Sequence, residues 1–285
     1  MKRAPFEPLD AGLYRELVRR ALAEDFGWGD VTTEGVIRRG QKGKAVLLAK
    51  SPCVIAGLDL FCESFRQLDP GMAVTLHRKD GEWCDAGTEV AALHGDAAAL
   101  LTAERTALNI VQHLSGISTL TRRYAELVQG TGATLIDTRK TIPTLRNLAK
   151  YASYVGGARN HRIRLDDGVL IKDNHIAVCG GLTAAIQRAK RQTPALTVVE
   201  VECDTLDQVR EAVAAGAGMI LLDNMGVAEL KEAVKIAQGR AVLEASGGIT
   251  LETIREKASS GVNFVSVGRM TQSAPAVDIG LDYGA

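Results

Sequence analysis

"LTVVEVECDTLDQVREAVAAGAGMILLDNMGVAELKEAVKIAQGRAVLEASGG", residues 196–248, holds two complete strand-then-helix units and the strand of a third. Short apolar runs ("TVVEVEC", "GMILLDN", "AVLEASGG") alternate with helical ones ("TLDQVREAVAAG", "VAELKEAVKIAQ"). The helices close on Gly216 and Gly239, where a left-handed residue ends a helix before the next strand. The strands start near residues 197, 219 and 241, a spacing of 22 residues, which is the length of one β/α unit. The same rhythm extends both ways. "ATLIDT" precedes "TLRNLAKYASYVGG", "GVLIKDNH" precedes "GLTAAIQRAKRQ", and "NFVSVGR" follows a helix closed by Gly261.

Six strands of this kind suit either an open doubly wound sheet or a barrel. The polar residues decide between them. Every strand finishes on chemistry: "DTRK", "IKDNH", "EVEC", "LLDNM", "EASGG" and "SVGRM". A ring of functional side chains at strand C-termini is the pattern of a barrel with its site on the top face, and six strands fall short of the usual eight. The expected class is therefore α/β, with an open, incomplete barrel of about six strands over residues 116–269.

Residues 1–115 read as a separate α+β domain. "AVLLAKSPCVIAG" and "MAVTLHRKDGEWCDAGTEVAALHG" suggest strands and hairpins, and "LDLFCESFRQL" a helix. In "TAERTALNIVQHLSGISTLTRRYAELV" the apolar residues recur at helical spacing, with Thr102 as expected N-cap. Gly116 marks either a break or a close approach there.

Lys plus Arg and Asp plus Glu both total 34 and the formal net charge is zero. That argues against nucleic acid as a partner, since non-specific binding needs an excess of basic residues. No apolar run is long enough to cross a membrane, and no signal peptide is visible, so no membrane partner is expected. The cysteines at 53, 62, 84, 179 and 203 are odd in number and form no C-x-x-C pair, which suits a reducing cytoplasm. Cys203 sits among functional residues, but no base is visible beside it, so buried packing is the favoured role.

Within this neutral chain the segment 139–172 carries eight basic residues, Arg139, Lys140, Arg146, Lys150, Arg159, Arg162, Arg164 and Lys172, against Asp166 and Asp167. Arg146 and Lys150, four apart, fit a solvated helix face. Arg139, Lys140 and Lys172 sit at strand ends, where a barrel aims them into one cavity. Cations gathered in a cleft are costly unless an anion compensates them, so the expected ligand is small and carries several negative charges. The other half of the ring is acidic. Glu200 and Glu202 share one strand face and Asp223 ends the next strand, suited to ion pairs, to ribose hydroxyls or to Mg²⁺. Glycines follow the last two strands, at Gly247, Gly248 and Gly268, where barrels often hold a phosphate.

These segments resemble a known family. "DTRKTIPTLRNLAKYA", "GGARNHRIRLDDGVLIKDNH", "ERTALNIVQHLSGIST", "VEVEC", "LLDN", "EASGGI" and the opening "AEDFGWGDVTTE" are similar, in order and over nearly the whole chain, to the quinolinate phosphoribosyltransferases. The resemblance implies an N-terminal α/β sandwich domain, an open α/β barrel, and a tail, residues 270–285, returning to the first domain. It implies transfer of phosphoribosyl from phosphoribosyl pyrophosphate to quinolinate with loss of CO₂, giving nicotinate mononucleotide and pyrophosphate in NAD synthesis, with Mg²⁺ as cofactor.

By the same resemblance Arg139, His161, Arg162 and Lys172 bind the quinolinate carboxylates, and Arg105 enters from the other subunit of a homodimer or higher oligomer. Lys140, Glu202 and Asp223 hold phosphoribosyl pyrophosphate, the two acids sharing the metal. Ser246, Gly247, Gly248 and Gly268 take the 5-phosphate, with Thr138, Val267 and Arg269 in the same substrate-binding set. The alternatives are a related transferase for a different aromatic acid, or a non-catalytic sensor. Three positions depart from the family pattern: Thr144 and Ala158 where it has glycine, and Gln272 where it often has histidine. A glycine position of left-handed backbone would be strained by its replacement.

Overall fold

A computed structural model describes residues 9–284. They form two compact units. The first comprises the chain through Leu120, Asn147–Gly156 and everything from Ser273 onward; the second comprises Thr121–Arg146 and Gly157–Gln272.

The first unit opens with α1 (Ala11–Phe26), capped where Asp10 Oδ1 accepts the Gly12 N–H at 2.9 Å, and α2 (Val31–Val36), capped by Asp30. Then come β1 (Lys42–Ala49), β2 (Cys53–Val54), α3 (Leu58–Arg66), β3 (Ala73–Leu76), β4 (Trp83–Cys84) and β5 (Glu89–Asp96). The main sheet is antiparallel in the order β12-β1-β5-β3, where β12 (Ile279–Gly284) is the tail strand, paired along β1 from Lys44↔Gly284 to Ala49↔Ile279. Burial along β1 alternates, with Ala45, Leu47 and Ala49 inside, the pattern of a sheet covered on one face. Phe61 and Phe65 of α3 meet edge-on at 5.0 Å within this core.

The helix expected to begin at Thr102 starts earlier: α4 runs from Ala97 to Val128 and passes unbroken through Gly116. Asp96 Oδ1 accepts the Ala99 N–H at its start, while the Thr102 hydroxyl is turned to Asp30 at 3.1 Å. Gly116 is there for close approach, because a Cβ would lie 2.2 Å from the Pro275 carbonyl oxygen of the returning tail.

The second unit is a six-stranded parallel sheet in the order β6-β11-β10-β9-β8-β7. Its strands are β6 (Thr134–Ile136), β7 (Val169–Ile171), β8 (Val199–Cys203), β9 (Met219–Asp223), β10 (Val242–Ser246) and β11 (Phe264–Ser266). Between them lie α5 (Arg146–Gly156), α6 (Asp173–Cys179), α7 (Leu182–Gln192), α8 (Leu206–Ala214), α9 (Val227–Ala237) and α10 (Ile254–Ala258), with α11 (Arg269–Gln272) after the last strand. The sheet does not close, since β6 and β7 remain its edges. Arg159 forms a single parallel bridge to Ile136 on the outer side of β6.

The helix α5 differs from expectation. Residues 147–156 belong to the first unit, where Tyr151 donates to Asp80 Oδ2 at 2.6 Å. Lys150, expected on a solvated face, is 1% exposed, because Leu148 through Ser153 are all buried.

Candidate active site

Side chains alternate along a strand, so each barrel strand sends one set outward to its helix and the other inward. Val201, Cys203, Ile220, Leu222, Leu243, Ala245 and Val265 form the buried apolar set, with Val209, Ala212, Leu230 and Ala233 of α8 and α9. The opposite set is polar toward the strand ends. Glu202, Asp223, Ser246 and, just past β11, Gly268 form its last layer; Glu200, Glu244 and Ser266 lie one step below, and Met219, Val242 and Phe264 below those. Across β10 and β9 the pairs are Val242↔Met219, Glu244↔Leu221 and Ser246↔Asp223, while on the flanking strands Glu200 pairs with Met219 and Glu244 with Phe264.

The basic side is built by two loops. After β6 the buried Asp137 accepts the His161 N–H at 2.9 Å and the Asn160 amide at 2.7 Å, so one carboxylate fixes the "RNHR" segment against the strand. Arg139 Nε is buried and has no hydrogen-bond partner among the described residues. Arg162 donates to the Gly168 carbonyl at 2.9 Å; burial, and then the positive charge of Arg139, lower the affinity of its guanidinium for its proton. Arg139 and Arg162 thus lie within reach of one another's charge, an effect on Arg162 that Glu200 and Asp167 oppose. Lys172, just past β7, makes a 2.5 Å contact with Glu202. Lys140 is exposed, and its side chain runs beside Gly268, where a Cβ would lie 2.9 Å from it.

His161 is engaged inside the protein at both ring nitrogens. Its Nδ1 accepts the Arg162 backbone N–H at 2.7 Å, and its Nε2 lies 3.0 Å from Glu200 and 3.4 Å from Glu244. Burial disfavours a charged ring while Glu200 and Glu244 favour a proton on Nε2; the Arg162 N–H directed at Nδ1 leaves no room for a second proton there, so the ring carries its one hydrogen on Nε2. Burial pushes Glu200 up to about 7, opposed by His161 and reinforced by Glu244.

On the acidic and phosphate side, Asn224 donates to Asp223 at 2.6 Å, and its backbone N–H is held by the Ser246 carbonyl at 3.0 Å. Gly247 has φ of 84°, and a Cβ there would meet Asn224 at 2.2 Å, so glycine is required. Lys257 of α10 ties two loops together, donating to the Met225 carbonyl at 3.1 Å and the Gly247 carbonyl at 3.4 Å. Val267 is buried, its N–H bonded to the Ile136 carbonyl, and Arg269 is exposed. Thr138 accepts the Lys140 N–H at 3.1 Å. Arg105 is exposed on α4 of the first unit.

A cavity of about 720 Å³ borders the opposite end of the barrel, lined by Val169, Val199, Met219, Val242 and Phe264 at the strand starts. Of the expected site residues His161, Arg162 and Glu200 reach it. The functional set therefore lies on the strand C-terminal side, above that cavity. Asp137, Glu244 and Lys257 were not singled out from the sequence; Asp137 and Glu244 carried the available signal, a carboxylate inside a strand that is otherwise apolar. Cys203 is buried, which pushes its thiol up to about 12 and removes it as a nucleophile.

The two glycine replacements separate cleanly. Ala158 has ordinary backbone, whereas Thr144 has φ of 68°. A β-branched residue is strained there by about 1–2 kcal/mol. Thr144→Gly is expected to raise Tm by about 2 °C in calorimetry, net of glycine's greater chain entropy. An unchanged or lowered Tm would show that the loop relieves the strain itself.

Comparison with known proteins agrees with this arrangement. The profile described as "Quinolinate phosphoribosyl transferase, N-terminal domain" matches residues 30–115, and that for the C-terminal domain of the same family matches residues 117–282. The chain is 41% identical over 268 residues to a probable nicotinate-nucleotide pyrophosphorylase [carboxylating] of Bacillus subtilis, covering 94% of this chain and 92% of that one. It is 41% identical over 275 residues to the nicotinate-nucleotide pyrophosphorylase [carboxylating] of Mycobacterium leprae, covering 94% and 96%. The solved nicotinate-nucleotide pyrophosphorylase of Francisella tularensis superposes with a TM-score of 0.93 at 37% identity, over 99% of this chain and all of that one. An unclosed parallel barrel with a basic wall facing strand-end acids, matched by both domain profiles, places this chain in the quinolinate phosphoribosyltransferase family.

Proposed function

We propose that the chain transfers the phosphoribosyl group of phosphoribosyl pyrophosphate to quinolinate and releases pyrophosphate and CO₂, forming nicotinate mononucleotide for NAD synthesis. The observation that carries this reading is the buried, unpartnered Nε of Arg139 beside the charge of Arg162. Arg139 Nε lacks an acceptor, and a planar dicarboxylate bridging it and Arg162 supplies one with matching geometry. Lys172 completes the set by exchanging Glu202 for a substrate carboxylate. His161, held through Nε2 by Glu200, belongs to the same wall of the pocket.

Glu202 and Asp223, on one face of neighbouring strands, offer hard oxygen ligands and leave other coordination positions to phosphate and water, which fits Mg²⁺. When bound there, Mg²⁺ would offset charge on the departing pyrophosphate. Asp223 and Glu202 place negative charge where the ribose becomes oxocarbenium-like, and Lys140 faces the leaving phosphates. The loops at Ser246–Gly248 and Val267–Arg269, with Thr138, orient the 5-phosphate. Once the ring nitrogen carries ribose, the bond from C2 to its carboxylate breaks. The electron pair stays on C2 beside the cationic nitrogen, CO₂ departs, and a proton from water then forms the C2–H bond of nicotinate mononucleotide. Positioning and electrostatics account for these steps without a nucleophile on the protein.

We further infer a homodimer, or a higher oligomer, in which the exposed Arg105 of one subunit completes the other's quinolinate pocket. Five free cysteines, four of them buried, suit a reducing cytoplasm, and among the described residues no helix is long and apolar enough to cross a membrane. A transferase for another aromatic acid, or a sensor, fits less well, since the basic set and both strand-end acids are retained.

The test is direct. Purified protein with Mg²⁺, phosphoribosyl pyrophosphate and carboxyl-labelled quinolinate is expected to release labelled CO₂ and nicotinate mononucleotide in equal amounts. Turnover of a different aromatic acid with none of quinolinate would overturn the assignment.

A further inference from the structure

The layer beneath the strand-end acids is polar where a barrel interior would ordinarily be filled by branched apolar side chains. Glu200 is 3% exposed, Glu244 1% and Ser266 3%, each on the inward face of its strand. The Glu200 and Glu244 carboxylates converge on His161 Nε2, and Glu200 Oε1 and Ser266 Oγ have no hydrogen-bond partner among the described residues. Buried carboxylates so close to a pocket for a dianion repel it and are expensive to desolvate, so their retention calls for a role.

The ring's other side supplies that role. An N–H directed at Nδ1 requires a lone pair there, so the 2.7 Å contact from the Arg162 amide selects the form with its hydrogen on Nε2. That hydrogen goes to Glu200 at 3.0 Å, while Glu244 Oε2, which has no hydrogen-bond partner among the described residues, lies 3.4 Å from the same nitrogen and holds it by charge. Asp137 holds the His161 backbone N–H at 2.9 Å, so ring and main chain are both pinned where the chain turns into Arg162.

We propose that Glu200 and Glu244 are positioning residues: by anchoring Nε2 they orient His161, whose Nδ1 in turn fixes the backbone at Arg162 and so aims its guanidinium for the quinolinate carboxylate. The proposal rests on the reading of Arg139 and Arg162 as the quinolinate pocket. His161, Glu200 and Glu244 also bring ligand atoms within 4.8 Å of one another, the composition of a metal site. The Nδ1 contact and the facing charges of Glu200 and Glu244 are accounted for by hydrogen bonding alone.

The experiment compares Glu244→Ala with Glu244→Gln, which keeps an acceptor oxygen. Each substrate is varied separately. Glu244→Ala is expected to raise KM for quinolinate about 10–100-fold, the usual effect of losing an outer partner of a binding residue, while KM for phosphoribosyl pyrophosphate stays within about twofold. Glu244→Gln should recover most of the loss. Nitrogen-15 NMR of histidine-labelled enzyme, with His161 assigned among five histidines by His161→Gln, should show one protonated and one unprotonated ring nitrogen in the wild type.

Equal increases in both KM values would mark a merely structural role and overturn the proposal. So would imidazolium signals in the wild type, or one tightly bound metal per chain that Glu244→Ala loses. If the wild type fails to turn over quinolinate, the functional assignment has failed, and the NMR form of His161 still decides this one.

Discussion

Arg139→Ala is expected to lower kcat/KM for quinolinate by at least about 30-fold, the equivalent of about 2 kcal/mol and the lower end of what truncating one partner of a buried charged contact costs. The structural reason is the burial of Nε with no protein acceptor. A guanidinium whose partner is another cation nearby has little to gain from the protein and much to gain from a carboxylate. Discrimination should fall with it: the wild-type enzyme is expected to reject nicotinate, since a monocarboxylate leaves one buried cation unpaired, and removing that cation removes part of the penalty. Initial rates with quinolinate and nicotinate as competing substrates measure both. An Arg139→Ala enzyme with undiminished kcat/KM would show that the carboxylates bind elsewhere.

Mixing Arg105→Ala chains with Lys172→Ala chains should restore activity that neither has alone. In a mixed dimer one site receives both wild-type residues and the other neither, so random exchange returns about a quarter of wild-type activity. Native mass spectrometry confirms exchange, and labelled CO₂ release reads the outcome. Full exchange with no recovered activity would mean that Arg105 serves its own subunit or none. Arg105 is exposed on α4, so its truncation leaves the packing of the first unit intact and the test is not confused with a fold defect.

Much of the barrel could be read from the chain because its units are local. Strands expected near 134, 169, 197, 219, 241 and 263 lie at Thr134, Val169, Val199, Met219, Val242 and Phe264, within two residues of expectation. What the sequence hid depends on contacts far along the chain. Gly116 reads equally as a kink or as room for a neighbour, and only the approach of Pro275 decides between them. The helical spacing of Arg146 and Lys150 suggests a wet face, but α5 is surrounded by its unit and Lys150 is buried. Glu200 could be placed on the face of Glu202, yet nothing local shows that it lies a layer deeper and meets Glu244 and His161. Left-handed backbone at Thr144 was readable only as a departure from the family's glycine; its φ turns that departure into strain.

The strand β12 gives the molecule an order of assembly. It pairs with β1, and the link is reinforced by Lys50 and Asp282, whose side chains meet at 2.7 Å across 232 intervening positions. On the ribosome β1 therefore waits with one flank bare while every barrel strand is made, although the barrel itself needs only neighbours already in hand. An exposed β edge of that kind is a site where nascent chains pair with one another. The burden on chaperones should fall on the half of the protein that is synthesised first and completed last.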